Sequence, residues 1–243
     1  MTKKYKLSNF LSRYDQWIIF EKNDELAKQC RIINMDICNK CTLECACCRR
    51  QRHMKFFGKV LGETLQVKDF EKYMNYFDKF DFSGQVSDPT MHPEFDKILK
   101  VVIDNDKYAT VHNAASHRPM HWYENIFKNY SSDKIEWFFG IDGLPKDSHK
   151  YRIRQDGEKL FEVMKMATKY MKGENIIWKY IVFKYNQSDI DQCIEMAKQI
   201  GVVFNIVYSN RYPSDDYIPD PKYQADIPML NIIHKLDGMI EQW

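Results

Sequence analysis

Residues 32–52 read IINMDICNKCTLECACCRRQR, and three cysteines in this stretch, Cys41, Cys45 and Cys48, form the pattern C-x3-C-x2-C. Three thiolates at this spacing can bind three irons of a cubic 4Fe-4S cluster. The fourth iron then has no protein ligand and is open to a small chelating molecule. The stretch therefore predicts an iron–sulfur site that follows a buried strand at residues 30–37.

The neighbouring cysteines leave other thiol chemistry open. Cys38 and Cys47 lie in the same segment, so a zinc site or a redox dithiol could also be drawn from it. A structural zinc site usually takes its ligands from two separated pairs, but outside this segment there are only the isolated Cys30 and Cys193. The total of 7 cysteines is odd, which argues against a disulfide framework. We expect Cys38 to pack at the strand end as a small apolar residue.

The cysteine pattern resembles that of the radical S-adenosylmethionine (radical SAM) superfamily. Enzymes of that superfamily use such a cluster to reduce SAM and release a 5'-deoxyadenosyl radical. The resemblance implies a 4Fe-4S cluster on Cys41, Cys45 and Cys48, with SAM as the second cofactor. In the family the residue before the third cysteine is often aromatic and its backbone approaches the SAM adenine. Cys47 therefore occupies a cofactor-binding position, although its residue type departs from the usual one.

Composition predicts one α/β domain, because 243 residues with 44% hydrophobic content can form a sizeable core. No apolar run reaches about 18 residues and residues 1–10 lack the apolar segment of a secretory signal, so we expect a cytoplasmic protein without a membrane span. The formal net charge of +2 argues against a large nucleic-acid surface. One local basic run, with no acid before Glu63, predicts a solvated face or a site for an anionic substrate or a reductase: Arg49, Arg50, Arg52, His53, Lys55 and Lys59.

Strand-like and helix-like segments alternate along the chain, which predicts parallel strands joined by right-handed crossovers. The last helix is the clearest, since Ser188 can cap its start and Gly201 follows its end. Alternation alone equally supports a doubly wound open sheet. The resemblance implies instead a partial (β/α)6 TIM-like barrel. The predicted strands are 30–37, 79–84, 109–114, 134–141, 175–183 and 202–208, and the predicted helices are 67–80, 94–104, 119–130, 157–171 and 188–200.

Three regions are predicted. Residues 1–29 form an N-terminal extension with a short apolar run at 17–20, and residues 30–210 form the core barrel. Residues 211–243 form a C-terminal tail that holds four of the prolines. Its first part is predicted to be extended, and a short helix at 228–240 within it could close the open side of the barrel.

The end of the second predicted strand reads FSGQVSDPTMHPEF at residues 82–95 and resembles a diverged form of the family's GGEP segment. Gly84 is expected to let backbone approach a ligand closely. The resemblance implies that Gln85 or Asp88 accepts a hydrogen bond from the SAM ammonium group. The alternative is an ordinary connection from strand to helix, with Pro93 near the helix start.

Polar groups follow the third, fifth and sixth strands. Asn113 lies where the family often has Thr-Asn-Gly, so it is either a SAM contact or a turn-forming residue. His112 and His117 are candidates for proton donation or for hydrogen bonds to nearby backbone. By location alone, further residues are expected on the substrate side: Lys179, Asn186, Ser209, Asn210 and Arg211.

The fourth strand ends in FFGIDG, residues 138–143, which resembles the SIDG segment of peptide-modifying radical SAM enzymes. Gly140 replaces the serine, so one hydroxyl contact to SAM is lost. Asp142 is expected to contact a ribose hydroxyl or the substrate. Arg152 is expected to bind the SAM carboxylate because a guanidinium can do so through two hydrogen bonds, with Arg154 in reserve. A plain Asp-Gly turn is the alternative.

The resemblance implies hydrogen abstraction from a peptide or small polar substrate, with an electron donor such as flavodoxin or ferredoxin. Only Cys193 follows Cys48, so this chain lacks the C-terminal cysteines that bind auxiliary (SPASM or twitch) clusters in related enzymes. Nucleotide or nucleic-acid modification is the second hypothesis, based on the basic run. A non-catalytic iron–sulfur or zinc-binding protein is the third. No residue is assigned as catalytic.

Overall fold

A computed structural model describes residues 31–209 and 211–223, together with the backbone of residues 232–234 and 240–242. The predicted extension at 1–29, with its apolar run at 17–20, lies outside the described residues. So does most of the tail beyond residue 223.

Six parallel strands pair in the order in which they occur in the chain. A doubly wound sheet would reverse its strand order at a switch point, and this sheet does not. The predicted α/β class and the partial (β/α)6 barrel are therefore confirmed. The strands are β1 (Ile32–Asn34), β2 (Lys79–Phe82), β3 (Tyr108–Asn113), β4 (Ile135–Gly140), β5 (Ile176–Val182) and β6 (Val203–Tyr208).

Helices follow the strands close to the predicted positions, with two differences. The segment predicted as helix 67–80 is a short helix continued by a 3-10 turn, Glu71–Asn75, and it stops before β2 begins at Lys79. A helix directly after the cysteines was not predicted, because its sequence has no apolar stripe. The helices are α1 (Arg49–Phe57), α2 (Val67–Phe70), α3 (Phe95–Asp104), α4 (Met120–Tyr130), α5 (Gly157–Ala167) and α6 (Ile190–Ile200).

The ends of α6 test two capping predictions. Gly201 has φ of 74° and its N–H bonds to the Ala197 carbonyl, so the predicted glycine cap is confirmed. Ser188 does not cap the helix. It lies within a 3-10 turn, Gln187–Asp189, and the helix itself begins at Ile190 without a side-chain cap.

The two faces of the sheet differ in polarity, because successive side chains of a strand point to opposite sides. The outer face packs on the helices and is aromatic and fully buried, with Phe82, Trp137, Phe139 and Trp178 each at most 1% exposed. The other face, which we call the inner face, carries polar groups in the middle of the strands: Asp81, Thr110, His112, Lys179 and Asn205.

The predicted helix at 228–240 is wrong where the structure describes that segment. Two antiparallel strands lie there, β7 (Ile232–His234) and β8 (Ile240–Gln242), and β7 pairs with β6. The β-branched pair at 232–233 and the free edge of β6 favour a strand over a helix. In the tail, residues 211–223 form 3-10 turns at Asp215–Tyr217 and Pro221–Tyr223. None of the described helices is long and apolar enough to cross a membrane.

Candidate active site at the carboxyl ends of the strands

The cysteine loop, residues 38–48, connects β1 to α1. Cys48 is the N-cap of α1, and its sulfur accepts a hydrogen bond from the Arg50 amide at 3.4 Å. The Leu43 amide donates to the Cys41 sulfur at the same distance. Cys38 is buried, as predicted, and its thiol faces the Asp88 carbonyl at 3.5 Å. Local backbone amides therefore orient two of the three predicted cluster ligands.

The loop brings the three predicted ligands together and leaves Cys47 apart. Burial, and after it the Asp88 carboxylate and the sulfurs of Cys45 and Cys48, raise the pKa of Cys41 to about 12. Burial likewise raises the pKa of Cys45 to about 11. Burial also raises the pKa of Cys47, but the groups that influence it are Arg211 and Arg52, not the other cysteines.

This donor set fits an iron–sulfur cluster, since a cubane distributes its thiolates over separate irons. Its three ligands need not converge on one point. Within the described ranges, no three His, Cys, Asp or Glu side chains converge tightly enough to share one metal ion. The assignment of Cys41, Cys45 and Cys48 as cluster ligands stays a prediction that the arrangement of the loop supports.

The cysteine loop is fastened to the chain on two sides. On one side the Asp88 amide donates to the Lys40 carbonyl at 2.9 Å. On the other, the Glu44 amide donates to the Ile153 carbonyl at 3.1 Å and its carboxylate pairs with Arg154 at 2.9 Å. Arg154, held in reserve for the SAM carboxylate, is thus engaged at the surface.

Gly84 is required by its own turn, and its approach to a ligand stays a prediction. Its φ is +51°, and a Cβ at this position would lie 2.1 Å from the Ser87 carbonyl oxygen. The turn is closed by Asp36, whose carboxylate accepts from the amides of Val86 and Ser87, both at 3.2 Å, and from the Ser87 hydroxyl at 2.8 Å. Sequence reasoning missed Asp36, because its partners lie fifty residues away.

Asp88 and Gln85, the two candidates for the SAM ammonium contact, differ in availability. The Asp88 carboxylate is buried and accepts four hydrogen bonds, from the amide and hydroxyl of Thr90 and from the amides of Ala114 and Ala115. Gln85 is half-buried, and its side chain makes no hydrogen bond with any described residue. The Cys48 thiol faces its carbonyl at 3.8 Å. Gln85 is therefore the better placed of the two.

Arg152 and Asp142 form a buried ion pair at the end of β4, with 2.8 Å between Arg152 Nε and Asp142 Oδ2 and side chains 12% and 0% exposed. Burial lowers the pKa of Arg152, but the Asp142 carboxylate together with Cys45 and Tyr151 outweighs this and raises it, so the guanidinium is charged. The Ile181 amide also donates to Asp142 at 2.8 Å. Arg152 was predicted to bind the SAM carboxylate, and Asp142 to contact a ribose hydroxyl or the substrate. The two residues contact each other, and both roles stay predictions.

Gly140 makes this pair possible. A Cβ at Gly140 would lie 2.8 Å from Nη2 and 2.9 Å from Cζ of Arg152. The guanidinium therefore lies across β4 where the family's serine side chain would be. The substitution that was expected only to remove a hydroxyl has a second consequence, which is room for the arginine.

A buried network missed by the sequence supports this end of the sheet. The Gln155 side-chain amide donates to the carbonyls of Ala114, at 2.7 Å, and Gly140, at 2.8 Å. Its oxygen accepts from the Ser148 hydroxyl, which in turn accepts from the Asp142 amide at 2.8 Å. Gln155 thus ties the ends of β3 and β4 to the Asp142 turn.

The predicted polar residues at the end of β3 lie on opposite faces of the sheet. Asn113 points to the outer face, where its amide donates weakly to the Tyr123 hydroxyl at 3.4 Å, and its buried Oδ1 has no partner among the described residues. His112 points to the inner face. Burial lowers the pKa of His112, and lowers that of His117 to about 4, so both rings are neutral near pH 7.

The expected substrate-side residues have different surroundings. Asn186 is fully buried and closes the turn after β5, where its amide bonds the backbone of Phe183 and Ile181. The expectation for Asn186 is therefore wrong. Ser209 bonds the backbone of Arg211, and Asn210 lies outside the described residues. Lys179 faces a cavity of about 320 Å³ on the inner face. Another cavity, of about 390 Å³, lies at the amino ends of β4 and β5 and is lined by none of the predicted site residues.

No protein-family model matches the chain. No curated protein matches it either. Solved structures do match. Streptococcus suis SuiB bound to S-adenosylmethionine has a TM-score of 0.59 at 12% identity, over 87% of this chain and 50% of that one. SuiB bound to its precursor peptide SuiA has a TM-score of 0.57 at 14% identity, over 73% of this chain and 39% of that one. Native anSMEcpe with bound AdoMet and the Cp18Cys peptide has a TM-score of 0.54 at 14% identity, over 79% of this chain and 55% of that one.

These similarities define the class of fold. The chain has the partial-barrel fold of radical SAM enzymes, as the cysteine pattern predicted. It spans about half the length of the solved structures that it matches. At this level of identity the likeness concerns the fold, and the chemistry of this chain must be argued from its own residues.

Proposed function

We propose that this chain is a radical SAM enzyme that abstracts hydrogen from a peptide or another small polar substrate. The observation that carries the proposal is the grouping of Cys41, Cys45 and Cys48 in one loop of this fold. When bound, a reduced 4Fe-4S cluster would supply one electron to SAM, which would break the C5'–S bond and release methionine and the 5'-deoxyadenosyl radical. The three thiolates would hold the cluster, Gln85 the SAM ammonium group and Arg152 the SAM carboxylate.

The chain itself positions groups and excludes water. Aromatic rings lie beside the Arg152–Asp142 pair: Tyr151 and Tyr185 are close enough to influence its charges, and the centroids of Tyr151 and Phe183 are 4.3 Å apart. The Tyr185 hydroxyl donates to the Asp142 carbonyl at 2.8 Å. Aromatic groups beside a site keep water from a reactive species and strengthen the electrostatic interactions there.

A peptide is the favoured substrate class. The matching structures of SuiB and anSMEcpe were solved with the SuiA and Cp18Cys peptides, respectively. Among the described residues Cys193 is the one cysteine after Cys48, and it is buried in α6. The proposal therefore concerns the core reaction alone.

The proposal is tested by anaerobic reconstitution with iron and sulfide, followed by dithionite and SAM. We expect a brown protein that forms 5'-deoxyadenosine, with more product when a peptide library is added. Alanine at Cys41, Cys45 or Cys48 should abolish the bound iron, whereas Cys47→Ala and Cys193→Ala should retain it. An intact cluster that forms no 5'-deoxyadenosine would contradict the proposal.

Helix α1 supports the prediction of an electron donor such as flavodoxin or ferredoxin. It begins at the cap residue Cys48, it has no buried residue, and Arg52 and Lys55 are exposed. Exposed apolar side chains lie beside these cations, with Phe56 at 72% exposure. A surface that combines cations with aromatic groups next to the cysteine loop suits an acidic carrier such as flavodoxin.

Charge reversal on α1 tests whether this helix binds the electron donor without taking part in the reaction itself. Arg52→Glu with Lys55→Glu should slow cluster reduction by flavodoxin by about tenfold at low salt, because electrostatic steering raises association rates by that order or more. Reduction by dithionite should not change. Lys165→Glu, on the exposed side of α5, is the matched control. Equal slowing with both reductants would instead indicate damage to the cluster.

The cations of α1 also favour the second candidate, a nucleotide-modifying or nucleic-acid-modifying enzyme. Phosphate binding by such a helix would weaken steeply with salt. If RNA or a nucleotide, but no peptide, stimulated 5'-deoxyadenosine formation, this candidate would replace the first.

A further inference from the structure

The cavity of about 320 Å³ on the inner face lies in the middle of the sheet, beneath the Arg152–Asp142 pair. Strand pairing sets its walls, since Lys179 of β5 is level with Gly140 of β4 and Asn205 of β6. Its volume is at the low end of ligand sites, so it suits one side chain or one chain end rather than a whole peptide. Six residues form most of its lining: Asp81, Thr110, His112, Phe138, Lys179 and Asn205.

Among these lining residues, Lys179 is the only cation without a direct partner. It makes no hydrogen bond or ion pair with any described residue. The nearest acids are already engaged, Asp142 with Arg152 at 2.8 Å and Asp81 with the Thr110 hydroxyl at 2.9 Å. Burial, and after it Arg152, lowers the pKa of Lys179. A half-buried ammonium group whose nearest acids are engaged with other groups is costly, and an anionic ligand would offset that cost.

Asp81 is the acid among these lining residues, and its carboxylate raises the pKa of Lys179 less than burial and Arg152 lower it. His112 is uncharged near pH 7, because burial and then Lys179 and Arg152 lower its pKa. Its ring stacks on Phe138 with centroids 4.5 Å apart and planes 12° apart, which gives the cavity a flat aromatic wall. The Asn205 side chain is buried and makes no hydrogen bond with the described residues. Beside the Asp81 carboxylate, the groups of the lining without a direct partner are thus one ammonium and one amide.

We propose that this cavity is a substrate pocket that binds a carboxylate, held by the Lys179 ammonium and the Asn205 amide and packed against Phe138. The assignment rests on the proposed function for the identity of the ligand as substrate. Two sources share this chemistry in a peptide, an acidic side chain and the terminal carboxylate. Each would place one residue of the peptide below the cofactor site.

The test measures binding rather than turnover. Three pentapeptides are titrated by calorimetry into the reconstituted protein with SAM and without reductant: AAEAA with an amidated end, AAQAA with a free end and AAQAA with an amidated end. We expect at least one acidic peptide to bind about tenfold or more tightly than the neutral peptide, the order of a charge-assisted contact. Whichever acidic peptide binds identifies the source of the carboxylate.

Variants assign the effect to the pocket. Lys179→Met should remove the preference for the acidic peptide, Lys179→Arg should retain most of it, and Lys165→Met should not change it. Melting temperatures show which variants fold, and Lys179→Gln replaces any variant that does not. The proposal is overturned if acidic and neutral peptides bind equally, if none binds at millimolar concentration, or if Lys179→Met keeps the preference. Failure to form 5'-deoxyadenosine is a separate result that concerns the proposed function alone.

Discussion

The outer and inner faces of the same sheet are built for different purposes. Phe138 and Phe139 are neighbours in the chain, yet Phe139 is fully buried against the helices while Phe138 lines the cavity. The outer face is a continuous aromatic core, and the inner face carries the charges of Asp81 and Lys179. Because the outer face supplies the apolar core, the inner face can carry polar groups. A bound ligand can offset the free-energy cost of burying those groups.

The largest expected effect on stability comes from alanine substitution of the two phenylalanines, one on each face of the sheet. Phe139→Ala should lower the free energy of unfolding by about 3–5 kcal/mol, because it opens a cavity in the core. Phe138→Ala should cost about 1 kcal/mol, mainly its stacking with His112. Urea denaturation of the two variants measures both values. Equal losses would mean that the inner face is packed as tightly as the outer one.

A smaller effect is expected where the faces meet the loops, at Gly140. Gly140→Ser restores the family's residue but places a Cβ 2.8 Å from the Arg152 guanidinium. We expect a loss of about 1–3 kcal/mol in the free energy of unfolding, as for other overpacked sites.

A double-mutant cycle checks the cause of that loss. In an Arg152→Ala background the serine should cost nearly nothing, since its steric partner is gone. An additive loss in the double variant would mean that Gly140 is required for some other reason.

The smallest effect is expected outside both faces, on α1. Phe56→Ser should change the free energy of unfolding by no more than about 0.5 kcal/mol, because the side chain is 72% exposed. The helix is held instead by the caps at Cys48 and Gly58 and by the hydrogen bond from the Arg50 side chain to the Asn39 carbonyl at 2.6 Å. A large loss of stability would show that Phe56 is buried by another part of the protein.

Much of the fold was predictable because its signals are local. The six strands lie within a few residues of their predicted ends, and Gly201 caps α6 as its sequence indicates. Predictions failed where the deciding contact is distant. The segment at 228–240 was read as a helix, but its described parts extend the sheet, and the free edge of β6 is not visible in the local sequence.

For the candidate site, the sequence by itself determined the three cysteines, their spacing and the order of the strand-end segments. These features depend on neighbours within about ten residues. Only the tertiary structure decided that Asp88 is saturated by backbone amides, that Arg152 pairs with Asp142 across Gly140, and that Lys179 faces a cavity without a direct partner among the described residues. The physical reason is that alternation along a strand predicts which residues share a face, whereas the partners of a buried charge come from strands and loops far away in the chain.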